Sequence, residues 1–189
     1  IPSIAKAVDI FRKHGVQYAL LHCTNVYPTP DNLIRLGAMN QLQDAFDDAV
    51  VGLSDHSIDN LACLGAVAVG ASILERHFTD HKQRTGPDIN CSMDTEECRS
   101  LIQESKRMKA MRGGQKGAVA EEQVTIDFAY ASVVTIKPIK KGETFSQDNL
   151  WVKRPGTGQF LADDYENLMG KTAAQDIEND VQLRSEDVQ

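Results

Sequence analysis

The chain has 189 residues, 41% of them hydrophobic and 25% charged, with 13 glycines and 6 prolines, a globular composition that excludes collagenous and disordered classes. Acids outnumber bases 27 to 20 for a net charge of −7, the opposite of what a general nucleic-acid or anionic-membrane binder carries. Any phosphate the protein handles must therefore be met by a few placed groups.

Ile1 is not an initiator residue, and the chain opens directly on helical periodicity (Ile4, Ala7, Val8, Phe11), so sequence upstream of Ile1 is expected. The first helix, over 4–14, ends at Gly15, a left-handed stop. YALLHCT (18–24) has strand length. Pro28 and Pro30 break the chain before a helix over 31–46, whose Leu33, Leu36, Met39, Leu42 and Phe46 form one stripe. VVGLSDH (50–56) is a second strand, 60–70 a helix, and SILERHF (72–78) a third strand. Asp94 opens a last helix with Glu97 three residues on, a capping-box spacing. Lys106, Arg107, Lys109 and Arg112 at its far end read as cations at the negative pole of the helix dipole.

Strand and helix alternate through 1–112 with short connections, which predicts βαβ units and a parallel sheet. The strands are apolar in their first halves and polar at their C-terminal ends: Thr24-Asn25, Ser54-Asp55-His56 and Glu75-Arg76-His77. That end carries the chemistry in a (β/α)8 barrel and faces the ligand in an open doubly wound sheet. No glycine-rich phosphate loop follows any strand. Residues 113–131 read as a polar linker, and 132–189 as a second, β-rich module with a turn at Lys140-Lys141-Gly142-Glu143.

The cysteines Cys23, Cys63, Cys91 and Cys98 contain no Cys-x-x-Cys pair, so neither a disulfide framework nor a zinc cluster is expected, and a reducing, cytoplasmic setting is. The longest apolar run, 61–74, is shorter than the roughly 20 residues of a spanning helix. No basic-then-apolar signal region opens the chain.

His56 and His77 end consecutive strands. Adjacent strands lie about 4.8 Å apart, so two imidazoles at matching heights, beside Asp55 and Glu75, can share one metal. A lone histidine is ordinarily a hydrogen-bonded structural residue, and the residues by themselves leave both readings open. Two nitrogen donors with the remaining positions left to oxygen suit Mn²⁺ or Mg²⁺ better than structural zinc. His22 belongs to the core or behind the site; His14 and His81 carry no role. Asn25, Tyr27 and Ser54 read either as turn chemistry or as neutral donors to a phosphate or sugar. Gly86-Pro87-Asp88 is a turn that follows the third strand on the same face.

Taken together, LHCTNVYPTP (21–30), GLSDHSIDN (52–60), LERHFTDHKQRTGPDINCSM (74–93) and NLWVKRPG (149–156) resemble the bacterial N-acetylneuraminate (sialic acid) synthase family, in order and over the full chain. The resemblance implies an α/β fold: the C-terminal part of a (β/α)8 TIM barrel, strands six to eight, followed by a small antifreeze-like (SAF, β-clip) domain. It implies that His56 and His77 are the protein ligands of a divalent metal, usually Mn²⁺, with Mg²⁺ or Co²⁺ as alternatives. It matches Asn25 and Ser54 to the phosphate of phosphoenolpyruvate, and Tyr27 and Asp88 to N-acetylmannosamine. Arg154 matches the arginine that reaches the sugar's N-acetyl group across a domain-swapped homodimer, and Phe128 an aromatic that travels with it; His56, His77 and Arg154 are the expected catalytic set.

The implied reaction condenses phosphoenolpyruvate, N-acetylmannosamine and water to N-acetylneuraminate and phosphate. Small-molecule substrates are expected, and neither nucleic acid nor membrane. A legionaminate or pseudaminate synthase shares the pattern with another hexosamine, and a non-catalytic carbohydrate-binding remnant is the reading of a different class. A barrel of about 250 residues does not fit in 1–112. The family's phosphate-binding lysine and catalytic glutamate are therefore expected outside this chain, which alone is expected to be inactive.

Overall fold

A computed structural model describes all residues, 1–189, in two units divided between Gly114 and Gln115.

In the first unit, α1 (Pro2–Lys13) starts with proline in its first turn, where the fixed φ suits the helix and the missing N–H costs nothing. It stops at Gly15, whose φ is +63°. Strand β1 (Ala19–Cys23) follows. The expected single helix over 31–46 is two, α2 (Asp31–Ile34) and α3 (Gly37–Ala45), because Arg35 between them is left-handed at φ +53°. The break shifts the phase of the apolar stripe. Ile34, Met39, Leu42 and Phe46 are buried, while Leu33 faces solvent.

Strand β2 (Val50–Asp55), helix α4 (Leu61–Ala68) and strand β3 (Ile73–Arg76) complete a three-stranded sheet in the order β1-β2-β3, parallel throughout. A side chain at Gly52 would put its Cβ 2.3 Å from the Ile73 carbonyl oxygen, so the close approach of β2 and β3 requires glycine there. Helix α5 (Thr95–Met111) carries the full capping box: the Asp94 carboxylate accepts from the Glu97 N–H at 2.9 Å and the Glu97 carboxylate from the Asp94 N–H at 3.0 Å. At its far end Arg112 donates to the carbonyls of Val67 at 2.9 Å and Ala71 at 3.3 Å. It thus adds a second donor to the Val67 carbonyl, which also accepts from the Gly70 N–H at 3.1 Å, and ties the end of α5 to the end of α4. Of the terminal basic cluster, this residue has a specific structural job.

The sheet has two unlike faces. Val51, Leu53 and, more shallowly, Leu20 and Leu74 face α1, α3, α4 and α5, in a core with Val8, Met39, Leu42, Cys63, Ala66 and Leu101. Each fully buried aliphatic side chain there contributes about 1.5–3 kcal/mol. Period-two alternation sends Leu21, Cys23, Gly52, Ser54, Ile73 and Glu75 to the other face, where Ile73 and Glu75 are exposed.

In the second unit the stretch read as a polar linker carries helix α6 (Gln123–Ala129). β4 (Ser132–Thr135) and β5 (Leu150–Lys153) pair antiparallel, Val133 opposite Val152. Lys140 to Glu143 form the expected turn, the Glu143 N–H donating to the Lys140 carbonyl at 2.9 Å, with Gly142 at φ +82°. Val133, Ile139, Phe145, Leu150, Ala173, Leu183 and, from α7 (Tyr165–Leu168), Leu168 form a core of their own. No helix of the protein is long and apolar enough to cross a membrane.

Candidate functional site

Cys23, Ser54 and Glu75 stand in register across the three strands, on the face turned away from the helices. Two residues further along each strand come Asn25, His56 and His77, one layer nearer the C-terminal end. The strands thus deliver their polar termini to one side of the sheet.

His56 is buried, and its Nδ1–H donates to the Thr24 carbonyl at 3.1 Å. A carbonyl oxygen only accepts, so the proton sits on Nδ1 and the lone pair on Nε2. The ring of Tyr27 stacks on His56 with centroids 4.0 Å apart, and His77 meets His56 edge-on at 5.1 Å. Tyr27 also meets His77 edge-on at 5.8 Å. His77 Nδ1 lies 3.6 Å from Asp88 Oδ2, both partly solvent-exposed. Partial desolvation pushes the Tyr27 phenol above its ordinary pKa, with Cys23, Asp88, Cys91 and Glu75 adding in the same direction. It is therefore a neutral hydroxyl at physiological pH.

Tyr27, His56, His77 and Asp88 form one cluster at the strand ends. Asn25, exposed, accepts a 3.2 Å contact from the Cys23 thiol at its edge. Ser54 lies one layer below His56. Asp55, which chain position sets beside the histidines, is not in the cluster. Alternation turns it to the helix side, where it lies 3.3 Å from Arg76 Nε, both side chains buried. Removing one member of such a pair costs about 3–5 kcal/mol. Glu75 is on the cluster's face. His22 is buried and donates from Nε2 to the Ile34 carbonyl at 2.8 Å, a structural role.

As a metal site the cluster offers two imidazoles. Within this chain no group of three or more His, Cys, Asp or Glu side chains converges to hold an ion, so an ion held by the two imidazoles would draw its further ligands from beyond these side chains. With metal–nitrogen bonds of about 2.1 Å, two ring centroids on one ion lie at most about 6.5 Å apart, and the observed 5.1 Å is within that reach. The tautomer of His56 leaves a nitrogen free. The donor set fits a divalent ion that keeps exchangeable oxygen ligands.

Arg154 and Phe128 belong to the second unit. Phe128, on α6, is exposed, and so is Arg154, just beyond β5. One hydrogen bond brings their neighbourhoods together: the Gly156 N–H donates to the Asp127 carbonyl at 2.8 Å. A Cβ on Gly156 would fall 2.6 Å from that of Tyr130, so this contact needs glycine. The Pro155 carbonyl accepts from Ser132 Oγ at 2.8 Å and Gln182 Nε2 at 3.2 Å. The loop carrying Arg154 is thereby fixed at several points while the guanidinium stays free.

The Thr24 carbonyl and the buried Arg76 escaped the reading of the sequence. A main-chain acceptor leaves no residue-type signal. By residue type Arg76 is one more polar residue at a strand end, and only its alternation with Glu75 and His77 signals that it faces the helices.

Residues 1–117 match the NeuB family, and residues 130–189 the SAF domain. The N,N'-diacetyllegionaminic acid synthase of Campylobacter jejuni is 40% identical over 185 residues, 96% of this chain and 55% of that protein. A solved N-acetylneuraminic acid synthetase from Leptospira borgpetersenii superposes with a TM-score of 0.60 at 35% identity, over 65% of this chain and 43% of the other. The Bacillus subtilis spore coat polysaccharide biosynthesis protein SpsE has a TM-score of 0.56 at 31% identity, over all of this chain and 58% of its own. The chain spans about half the length of the curated relatives it matches. On the extent of the first match, the chain belongs to the NeuB family.

Proposed function

We propose that this chain carries the C-terminal part of a (β/α)8 barrel and the SAF domain of a synthase that condenses phosphoenolpyruvate with an N-acetylated hexosamine, N-acetylmannosamine in the leading reading. The observation that carries the proposal is the His56–His77 pair, 5.1 Å between centroids, with Tyr27 stacked on it at the C-terminal ends of adjacent parallel strands in a NeuB family member.

His56 and His77 would hold the divalent ion, Mn²⁺ in this reading. When bound, such an ion supplies Lewis-acid polarisation of an aldehyde oxygen. Asn25 and Ser54 offer neutral donors to the phosphate of phosphoenolpyruvate, as an acidic protein requires. Tyr27 and Asp88 border the same space from the sugar side, the neutral phenol donating and the carboxylate accepting from hydroxyls. Carbon 3 of phosphoenolpyruvate forms the new bond to the sugar's aldehyde carbon, water adds at carbon 2, and phosphate leaves with its bridging oxygen. Arg154, presented on a pinned loop with Phe128 nearby, would bind the N-acetyl group from a partner subunit in a domain-swapped dimer and shut out bulk water. Phosphate of the enolpyruvate also calls for a cationic donor beyond Asn25 and Ser54, expected from the rest of the barrel. The 189-residue chain alone is accordingly proposed to be inactive, and a cytoplasmic setting fits its substrates.

A second reading keeps the chemistry and changes the sugar. Relatives include legionaminic and pseudaminic acid synthases, the first at 40% and the second at 33% identity, which favours a hexosamine other than N-acetylmannosamine. Phosphate release from phosphoenolpyruvate, measured with the enzyme at full family length, Mn²⁺ and each candidate sugar in turn, separates the two. Release only with N-acetylmannosamine supports the leading reading; release with none of the sugars overturns both.

A further inference from the structure

Arg76 lies in the polypeptide next to His77, yet its side chain leaves the opposite face of β3 and is buried. Its Nη2 donates to the Ser57 carbonyl at 2.9 Å and lies 3.4 Å from the Cys91 carbonyl; its Nη1 donates to Asn60 Oδ1 at 2.7 Å. Ser57 directly follows His56. Cys91 closes the 3₁₀ turn Ile89–Cys91, whose amide and the neighbouring Ser92 hydroxyl donate to the Asp88 carbonyl at 3.2 and 2.8 Å. One guanidinium therefore grips the segments that carry His56, His77 and Asp88.

Asp55 holds that guanidinium from the other strand. Its Oδ2 is 3.3 Å from Arg76 Nε and accepts from Ser57 Oγ at 2.7 Å, while Oδ1 accepts from the Ser57 N–H at 3.0 Å. The Nε–H itself finds no aligned hydrogen-bond acceptor. The contact with Asp55 is thus one of charge, and directional bonding is spent on the three loop acceptors. Lysine could neutralise Asp55 but has no planar fork to span Ser57, Asn60 and Cys91.

We propose that Arg76, anchored by Asp55, is a positioning residue that sets the spacing of the His56–His77 pair and the turn bearing Asp88. The inference rests on the metal reading above. Arg76 is buried on the face of β3 opposite the two rings, so its effect is exerted through the main chain on either side of them.

The test compares Arg76→Lys, which keeps the buried charge paired, with Leu101→Ala, which opens the same core away from the site. Mn²⁺ binding to the enzyme at full family length is followed by loss of the free-ion electron paramagnetic resonance signal. Metal-free ring nitrogens are followed by ¹⁵N NMR. Arg76→Lys is expected to weaken Mn²⁺ binding about tenfold, the lower end of what residues behind metal ligands contribute, and to shift the ring resonances of both His56 and His77. Leu101→Ala is expected to lower the melting temperature and change neither. Asn60→Ala, which removes a single acceptor, gives a smaller shift in the same direction should Arg76→Lys not fold. Unaltered ring resonances and Mn²⁺ affinity in both Arg76→Lys and Asn60→Ala overturn the proposal. A wild-type chain that takes up no Mn²⁺ overturns the metal reading instead, and the ring spectra then still decide whether Arg76 positions the pair.

Discussion

Tyr27 lies face-on to His56, centroids 4.0 Å apart and planes inclined by 30°. The stack covers one face of an imidazole whose Nδ1 is already fixed by Thr24, so under the proposed function Tyr27 has two separable duties: its ring holds His56, and its hydroxyl would meet the sugar. Tyr27→Phe keeps the first and loses the second. It should raise the sugar's KM with Mn²⁺ affinity unchanged. Tyr27→Ala forfeits an aromatic contact of about 0.5–1.5 kcal/mol and should weaken both. Steady-state kinetics with a parallel Mn²⁺ titration distinguishes the two variants.

Arg154 is free at the tip of a loop that Gly156, Ser132 and Gln182 fasten. Arg154→Ala in the full-length enzyme should raise the KM for the hexosamine and leave that for phosphoenolpyruvate nearly unchanged. Gly156→Ala, which drives a Cβ into Tyr130, should show the same split more weakly, by displacing the loop. Equal damage to both substrates would remove Arg154 from the sugar side.

Asp48 joins the end of α1 to the approach of β1: its carboxylate accepts from Arg12 Nε at 2.9 Å and from the Tyr18 hydroxyl at 2.7 Å. The Arg12 hydrogen bond first, and that of Tyr18 second, hold its pKa well below the ordinary carboxylate range. A depressed native pKa stabilises the fold above the unfolded value of about 3.9, and that contribution fades as pH falls below it. Thermal melts should show Asp48→Asn less stable than wild type at about pH 7, with the gap narrowing at about pH 3. Because the group is exposed, the gap should also shrink in high salt.

Much of this arrangement was legible in the residues. Apolar strand starts with polar ends, separated by helical periods, announced the parallel order β1-β2-β3 and the side on which His56 and His77 emerge. Asp94 and Glu97 marked the start of α5 because a capping box is local chemistry. The break at Arg35 was hidden, since a left-handed residue other than glycine has no pattern and the stripe through Leu36 to Phe46 runs on regardless. Helix α6 was missed because Val124 and Phe128 are exposed, so it has no buried face to imprint a period. Nearness in the chain to His56 suggests Asp55 as a neighbour of the site, whereas strict alternation along β2 puts it behind the sheet, where it meets Arg76.

The proposed chemistry requires His56 and His77 to act as one ligand pair. The most direct measurement is an Mn²⁺ titration of wild type, His56→Ala and His77→Ala, read by electron paramagnetic resonance on folded protein. A single site in the wild type that either substitution abolishes or severely weakens is the predicted result. Undiminished Mn²⁺ uptake in both variants would contradict it.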